Sequence, residues 1–315
     1  MVEDPHEKTY FDTTGLKKTI NYAIKTCLLL FAVQFIVMFL GSSFIVGLPV
    51  SYSTYSMIFT VWEIVTSIIA ATCAIIYGAK VFHINVSKLL NFKQFSWNWL
   101  GKGVAMHYSV NFFSGLIIVF FNLILSFFST QIPEVEVYSP NAFYLIMNLI
   151  SVGIVAGISE EIIFRGMICN SLARYNKGFA VVVSALIFSL MHMNLDQGIP
   201  AFFSGICFGY IYLRSGSLLV TVLLHILNNF IAVVVTAFDT GMMVTLLSLL
   251  LLVLVVYGCY VWYKERKEVS AMILLSSQAK KEWSVLVRSG WFWFVAIVFA
   301  MISFLSVIIS IFEIY

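Results

Sequence analysis

The stretch Ser159-Glu160-Glu161-Ile162-Ile163-Phe164-Arg165-Gly166 sets two adjacent carboxylates and a guanidinium in an apolar run. The residues before it, Ala142 to Ile158, carry no charge. A charged side chain near the centre of a membrane helix costs at least about 2.5–3.5 kcal/mol on insertion scales, so such residues usually mark function. Helical spacing puts Glu161 and Arg165 on one face, i to i+4, where they can pair. Glu160 points about 100° away, toward a different surface. The expectation is one carboxylate neutralised by Arg165 and one facing a cavity.

Two further segments carry polar groups among apolar residues. One is Phe188-Ser189-Leu190-Met191-His192. The other is Leu224-His225-Ile226-Leu227-Asn228-Asn229, where His225 and Asn229 share a face at i,i+4 spacing. At 1.5 Å of rise per residue, Glu160, His192 and His225 lie roughly 18, 21 and 12 Å from one common end of their helices. The depths overlap, so three helices can offer Glu, His, His and Asn to one place. That set suits hydrolysis. A carboxylate beside an imidazole can hold and deprotonate water, and an imidazole N–H with an Asn amide can donate to a developing oxyanion. Ser159 and Ser189 lie nearby, but neither sits in a Gly-x-Ser-x-Gly elbow.

The elements that must position these groups are membrane helices. The chain is 61% hydrophobic and 10% charged, with a mean hydropathy of +0.98, whereas soluble domains carry about 25% charge. The expected fold is an all-α polytopic membrane protein of about nine transmembrane helices. Its segments are Ile20–Leu48, Tyr55–Gly78, Gly103–Phe128, Ala142–Ala173, Gly178–Met193, Ile199–Leu213, Ser217–Phe238, Met242–Tyr263 and Trp291–Phe312. Ala79–Lys102 reads as interfacial and Lys264–Arg288 as a surface helix. With the N-terminus in the cytoplasm, all 18 Lys and Arg residues fall on the cytoplasmic side or in a cytoplasmic helix end, as the positive-inside rule requires. The opposite segments hold only Glu134, Glu136, Asp196, Asp239 and Glu313. Residues 1–141 form an N-terminal helical region, 142–238 a catalytic core, and 239–315 a C-terminal pair of helices with a charged linker. The five cysteines show no CxxC spacing, so they read as apolar filler. Glu63 and His107 are set aside as catalytic candidates, and Asn111, Asn122 and Asn148 read as interhelical hydrogen-bonding residues.

The motifs, taken in order, resemble those of the CPBP family. These are Glu160-Glu161-x-x-x-Arg165, Phe188-x-x-x-His192 and His225-x-x-x-Asn229, extended by Leu213-Arg214-Ser-Gly-Ser217 before the third. That family comprises type II CAAX prenyl endopeptidases and bacterial bacteriocin-processing and immunity (Abi) proteins. The resemblance implies a glutamate-dependent intramembrane endopeptidase opening toward the cytoplasm. It implies that Glu160 and His192 activate water, that Glu161 and Arg165 support them, and that His225 and Asn229 form the oxyanion hole. No cofactor is expected; the alternative is a divalent metal such as zinc at Glu160, His192 and His225. The expected partners are a membrane-associated peptide or protein substrate and the lipid bilayer. A second reading is a non-catalytic regulator or immunity protein that binds a sensor kinase or peptide in the membrane. Nucleic acid is not an expected partner, and the expected location is a bacterial cytoplasmic membrane.

Overall fold

A computed structural model describes residues 12–128, 130–133, 141–237 and 241–312. Among these the chain is helical, with no strand. The main helices are α1 (Thr13–Val46), α2 (Tyr52–Phe82), α3 (Trp97–Ser126), α4 (Ala142–Leu172), α5 (Lys177–Leu190), α6 (Leu195–Ser215), α7 (Leu218–Ala237), α8 (Gly241–Gln278), α9 (Lys280–Val287) and α10 (Gly290–Phe312). Seven of them, α1 to α4, α7, α8 and α10, are long and apolar enough to cross a bilayer. This is a multi-pass membrane protein. Glu134, Glu136, Asp239 and Glu313 lie outside the described residues.

Helix α5, with 14 residues, spans roughly 21 Å, short of a hydrocarbon core of about 30 Å. Its partner α6 carries Asp196, Pro200 and Arg214. Two boundaries differ from the sequence expectation. Helix α3 begins at Trp97, capped by the Ser96 hydroxyl, so it takes in the end of the stretch read as interfacial. Helix α8 runs unbroken to Gln278 and absorbs half of the charged stretch after Tyr263. Its Glu265 and Glu268 pair with Lys102 and Arg214, which ties that extension to the ends of α3 and α6.

Short connections set the neighbours. Asn176 accepts from Phe179 N at 2.9 Å and starts α5. Asn194 accepts from Gln197 N at 2.8 Å and starts α6. Such side-chain caps satisfy backbone donors that a helix start leaves free. Gly216, at φ +68°, ends α6 in the left-handed region that glycine enters without penalty.

Helix α4 is the irregular one. It passes through π-helical register at Leu149–Ala156 and again at Ile162–Cys169, on either side of Glu160-Glu161. Single π turns inside α-helices are frequent at functional sites. Its contact with α7 depends on two glycines one turn apart. A Cβ on Gly153 would lie 2.2 Å from the Phe230 ring, and one on Gly157 would lie 2.8 Å from Ile226 Cγ1. Small residues at this spacing let membrane helices approach closely. One turn beyond Gly157 is Glu161, and beside Ile226 is His225. The backbone contact therefore delivers the polar groups to each other.

The end of the bundle near Leu172, Lys177 and Leu218 is closed by apolar packing. Ile163, Phe164, Met167, Ile168, Phe179 and Leu218 are all buried.

Candidate active site

Arg165 is the largest fully buried side chain, and it lies between two aromatic faces. Its guanidinium carbon is 4.6 Å from the Phe188 ring centroid and 5.3 Å from that of Phe208. Its Nη1 donates to Glu161 Oε1 at 2.7 Å. The same Oε1 accepts from His225 Nδ1 at 2.9 Å. Glu161 is wholly buried. The expected i,i+4 pair is present, and it does more than join α4 to itself. It fixes His225 on α7 by claiming one ring nitrogen, which leaves Nε2 on the other side.

That side holds Glu160. Its Oε2 lies 3.6 Å from His225 Nε2, long for a hydrogen bond but within ion-pair reach when the ring is protonated. The Glu160 side chain is 28% exposed where Glu161 is 0%, and it lines a cavity of about 470 Å³. The adjacent carboxylates are thus separated into one enclosed and one accessible group.

His192 also lines this cavity. It lies in the turn after α5 rather than within the helix, where the sequence reading put it. Its Nδ1 donates to the Phe188 carbonyl at 3.0 Å; a carbonyl can only accept, so in the neutral ring the proton is on Nδ1 and Nε2 carries the lone pair. Its own carbonyl accepts from Asn194 Nδ2 at 2.7 Å, and Met193 takes a left-handed φ of 55°. Cap, turn and ring are held as one unit. Among the described residues no direct hydrogen bond joins His192 to Glu160; they face the same space. The imidazole within ion-pair reach of Glu160 is that of His225.

Asn229 is oriented by a hydrogen-bonded chain whose direction has one solution. Its Nδ2 donates to the Val152 carbonyl at 2.7 Å, so its Oδ1 faces Asn228 and accepts from Asn228 Nδ2 at 3.1 Å. Asn228 Oδ1 then accepts from His107 Nε2 at 2.9 Å and Asn111 Nδ2 at 3.3 Å. Asn111 Oδ1 accepts from the Ser204 hydroxyl at 2.9 Å. Each step follows from the acceptor-only carbonyl at the end. An amide has two N–H groups, and Val152 uses one of those on Asn229.

His107, Asn111, Ser204 and Asn228 all line the cavity, and sequence reasoning did not place them there. The available signal was the i,i+4 spacing of His107 and Asn111 in an apolar helix, together with the doubled Asn at 228–229. Glu63 is exposed on α2 and takes no part in the lining. Asn122 accepts from Ile132 N, a loop contact. The two nearby hydroxyls are engaged with backbone: Ser159 with Val155 O and Ser189 with Gly198 O. Among the described residues no three of His, Cys, Asp and Glu are grouped so as to hold a metal ion. Of the zinc set weighed above, His225 has Nδ1 committed to Glu161 and His192 has Nδ1 committed to a carbonyl, so each could offer only Nε2.

The cavity also separates two expectations that the sequence joined. Its lining runs from Glu160, Phe188, Phe208 and His225 to Val152, Gln197 and Thr236. The latter three lie toward the ends of α4, α6 and α7 that carry no Lys or Arg. The packed, closed end of the bundle is the basic one. A cytoplasmic N-terminus and an opening toward the cytoplasm are therefore not compatible with each other.

Residues 142–231 match the family of type II CAAX prenyl endopeptidase Rce1-like proteins, and this interval contains every residue that the three motifs place in the site. The membrane-embedded CAAX protease MroQ of Staphylococcus aureus (strain USA300) is 30% identical over 188 residues, covering 53% of this chain and 70% of that protein. No solved structure matches. With a relative aligned over more than two thirds of its length, and the acid, histidine and asparagine motifs gathered around one intramembrane cavity, the chain belongs to the CPBP family of membrane proteases.

Proposed function

We propose that the protein is an intramembrane endopeptidase that uses Glu160 as general base, without a metal. The observation that carries this is the split of the two carboxylates. Glu161 is buried against Arg165 and His225, while Glu160 reaches the cavity between His225 and the turn that holds His192. A binding module has no use for such a division. Water held by Glu160 and the His192 Nε2 lone pair attacks the scissile carbonyl carbon, and its proton passes to Glu160. The oxyanion receives the second amide N–H of Asn229 and His225 Nε2–H, when that nitrogen is protonated. The C–N bond then breaks, and the proton on Glu160 leaves with the amine. Acid/base groups of this kind supply about 10²–10⁴ in rate.

The test is comparative mass spectrometry of peptides from cells carrying the wild type, Glu160→Gln and His192→Ala. Glu160→Gln keeps shape and removes the base, so products should fall by at least about 100-fold. Unchanged products from normally folded Glu160→Gln would refute the reading. The metal-free form has its own test. Activity of purified protein should survive rigorous chelation; loss on chelation and recovery with added zinc would replace it with a zinc mechanism at Glu160, His192 and His225. The substrate class that this reading supports is a peptide segment that can enter a cavity within the bilayer. Processing of a bacteriocin or signalling-peptide precursor would fit that class.

A further inference from the structure

The direction of the cavity says where its substrate comes from. Among the described residues every Lys and Arg except the buried Arg165 of the site lies at or near one end of the bundle. These are the ends of helices at Thr13, Phe82, Trp97, Leu172, Lys177, Ser215, Gln278 and Gly290. The opposite connections, at 47–51, 127–141, 191–194 and 238–240, contain no Lys or Arg. The positive-inside rule makes the basic end cytoplasmic.

The lining can be placed along that axis. At 1.5 Å per residue, His225, Asn229 and Thr236 lie roughly 10, 16 and 27 Å from the basic end of α7. Glu160 and Val152 lie roughly 18 and 30 Å from the basic end of α4, and Phe208 and Gln197 roughly 10 and 27 Å from that of α6. Three helices agree: the catalytic groups form the floor, and the lining extends only away from the basic end. On the other side of the floor Ile163, Phe164, Met167 and Phe179 are buried in one apolar cluster.

We propose that the cavity is loaded from the non-cytoplasmic side. Its substrate is a peptide that spans or has already crossed the bilayer and presents an extended segment at the mouth formed by Val152, Gln197 and Thr236. This rests on the reading of the cavity as the site of peptide hydrolysis, and it narrows that reading: a peptide confined to the cytoplasm has no route to Glu160.

The test is thiol accessibility, which does not depend on activity. Gln197→Cys and Thr236→Cys, on different helices, are each placed in the full-length protein in its native membrane, with Lys93→Cys as a marker of the basic end. A membrane-impermeant maleimide is applied to intact cells and, separately, to inverted vesicles. The unsubstituted protein gives the background from exposed Cys259. Both mouth cysteines should gain label above background in intact cells, and Lys93→Cys only in inverted vesicles. Mouth cysteines that label only in inverted vesicles, or from neither side while Lys93→Cys labels, would overturn the proposal. Glu160→Gln that keeps its products would instead remove the hydrolytic reading and leave the access result standing, so the two failures are distinguishable.

Discussion

Arg165→Met should destabilise the protein far more than its change in volume suggests. Methionine fills much of the space between Phe188 and Phe208, so the void penalty is small. What is lost is the charge that balances Glu161, together with the 2.7 Å bond to it and the stacking on two rings. Removing one partner of a buried ion pair costs about 3–5 kcal/mol, because the other charge stays buried and uncompensated. Each cation–π contact adds about 0.5–2 kcal/mol. His225 Nδ1, at 2.9 Å from the same oxygen, recovers part of this, and side chains in a membrane-embedded unfolded state also find partners. A loss near 3 kcal/mol is therefore the expected figure. Pairing the change with Glu161→Gln removes the stranded charge, so the double variant should be more stable than Arg165→Met alone. The assay is equilibrium unfolding in mixed micelles, titrated with a denaturing detergent and followed by tryptophan fluorescence. A single variant within about 1 kcal/mol of wild type, or a double variant whose loss equals the sum of the two singles, would refute the reasoning, because contacting groups should couple by about 0.5–3 kcal/mol.

Two other substitutions test how the site is positioned. Asn228→Asp replaces the donor to Asn229 Oδ1 with a second acceptor, so the amide chain from Ser204 to Val152 loses its single direction. The turnover number should fall roughly tenfold, the worth of one hydrogen bond, with KM unchanged; in an Asn229→Ala background the same change should have no further effect, and additive losses would contradict the role. Gly157→Ala puts a Cβ 2.8 Å from Ile226 Cγ1 and 3.2 Å from its backbone nitrogen. Overpacking of this kind costs about 1–3 kcal/mol; Ile226→Ala should restore part of the loss in thermal unfolding, and no loss in the single variant would show that the helices separate freely there.

The chemistry was legible in the sequence because the bilayer makes charge conspicuous. After a run without charge from Ala142 to Ile158, Glu160, Glu161 and Arg165 stand out, and helical spacing alone separates braced from unbraced carboxylate. The helices were legible for the same reason: each of the nine apolar segments corresponds to a helix. What the spacing could not supply was contact between helices. Equal depth put His192 and Glu160 at one level and said nothing of azimuth, so the neighbour of Glu160 is His225, carried in by the Gly153 and Gly157 contact. The π turns that bring Val152 opposite Asn229 have no signature in residue type. The polar wall from α3 was read residue by residue as packing, because a single His or Asn in an apolar helix is no signal until its partners are known.

The direction of opening depends on charge and on side-chain size, which bear on different halves of the question. Charge counting sets which end of the bundle faces the cytoplasm, since Lys and Arg resist transfer across the bilayer. It says nothing about where the helices part. That depends on side-chain volume along each helix. Toward Leu172 and Leu218 the residues Phe164, Met167 and Phe179 are buried in one apolar cluster. Toward the other end Val152, Ala156, Ala201, Ser204, Ala232 and Thr236 are smaller and line a cavity of about 470 Å³ that α3 and α5 also wall. Size therefore places the mouth and charge places the membrane. On the proposed reading, the two together bring the substrate to Glu160 from the side that carries no basic residues.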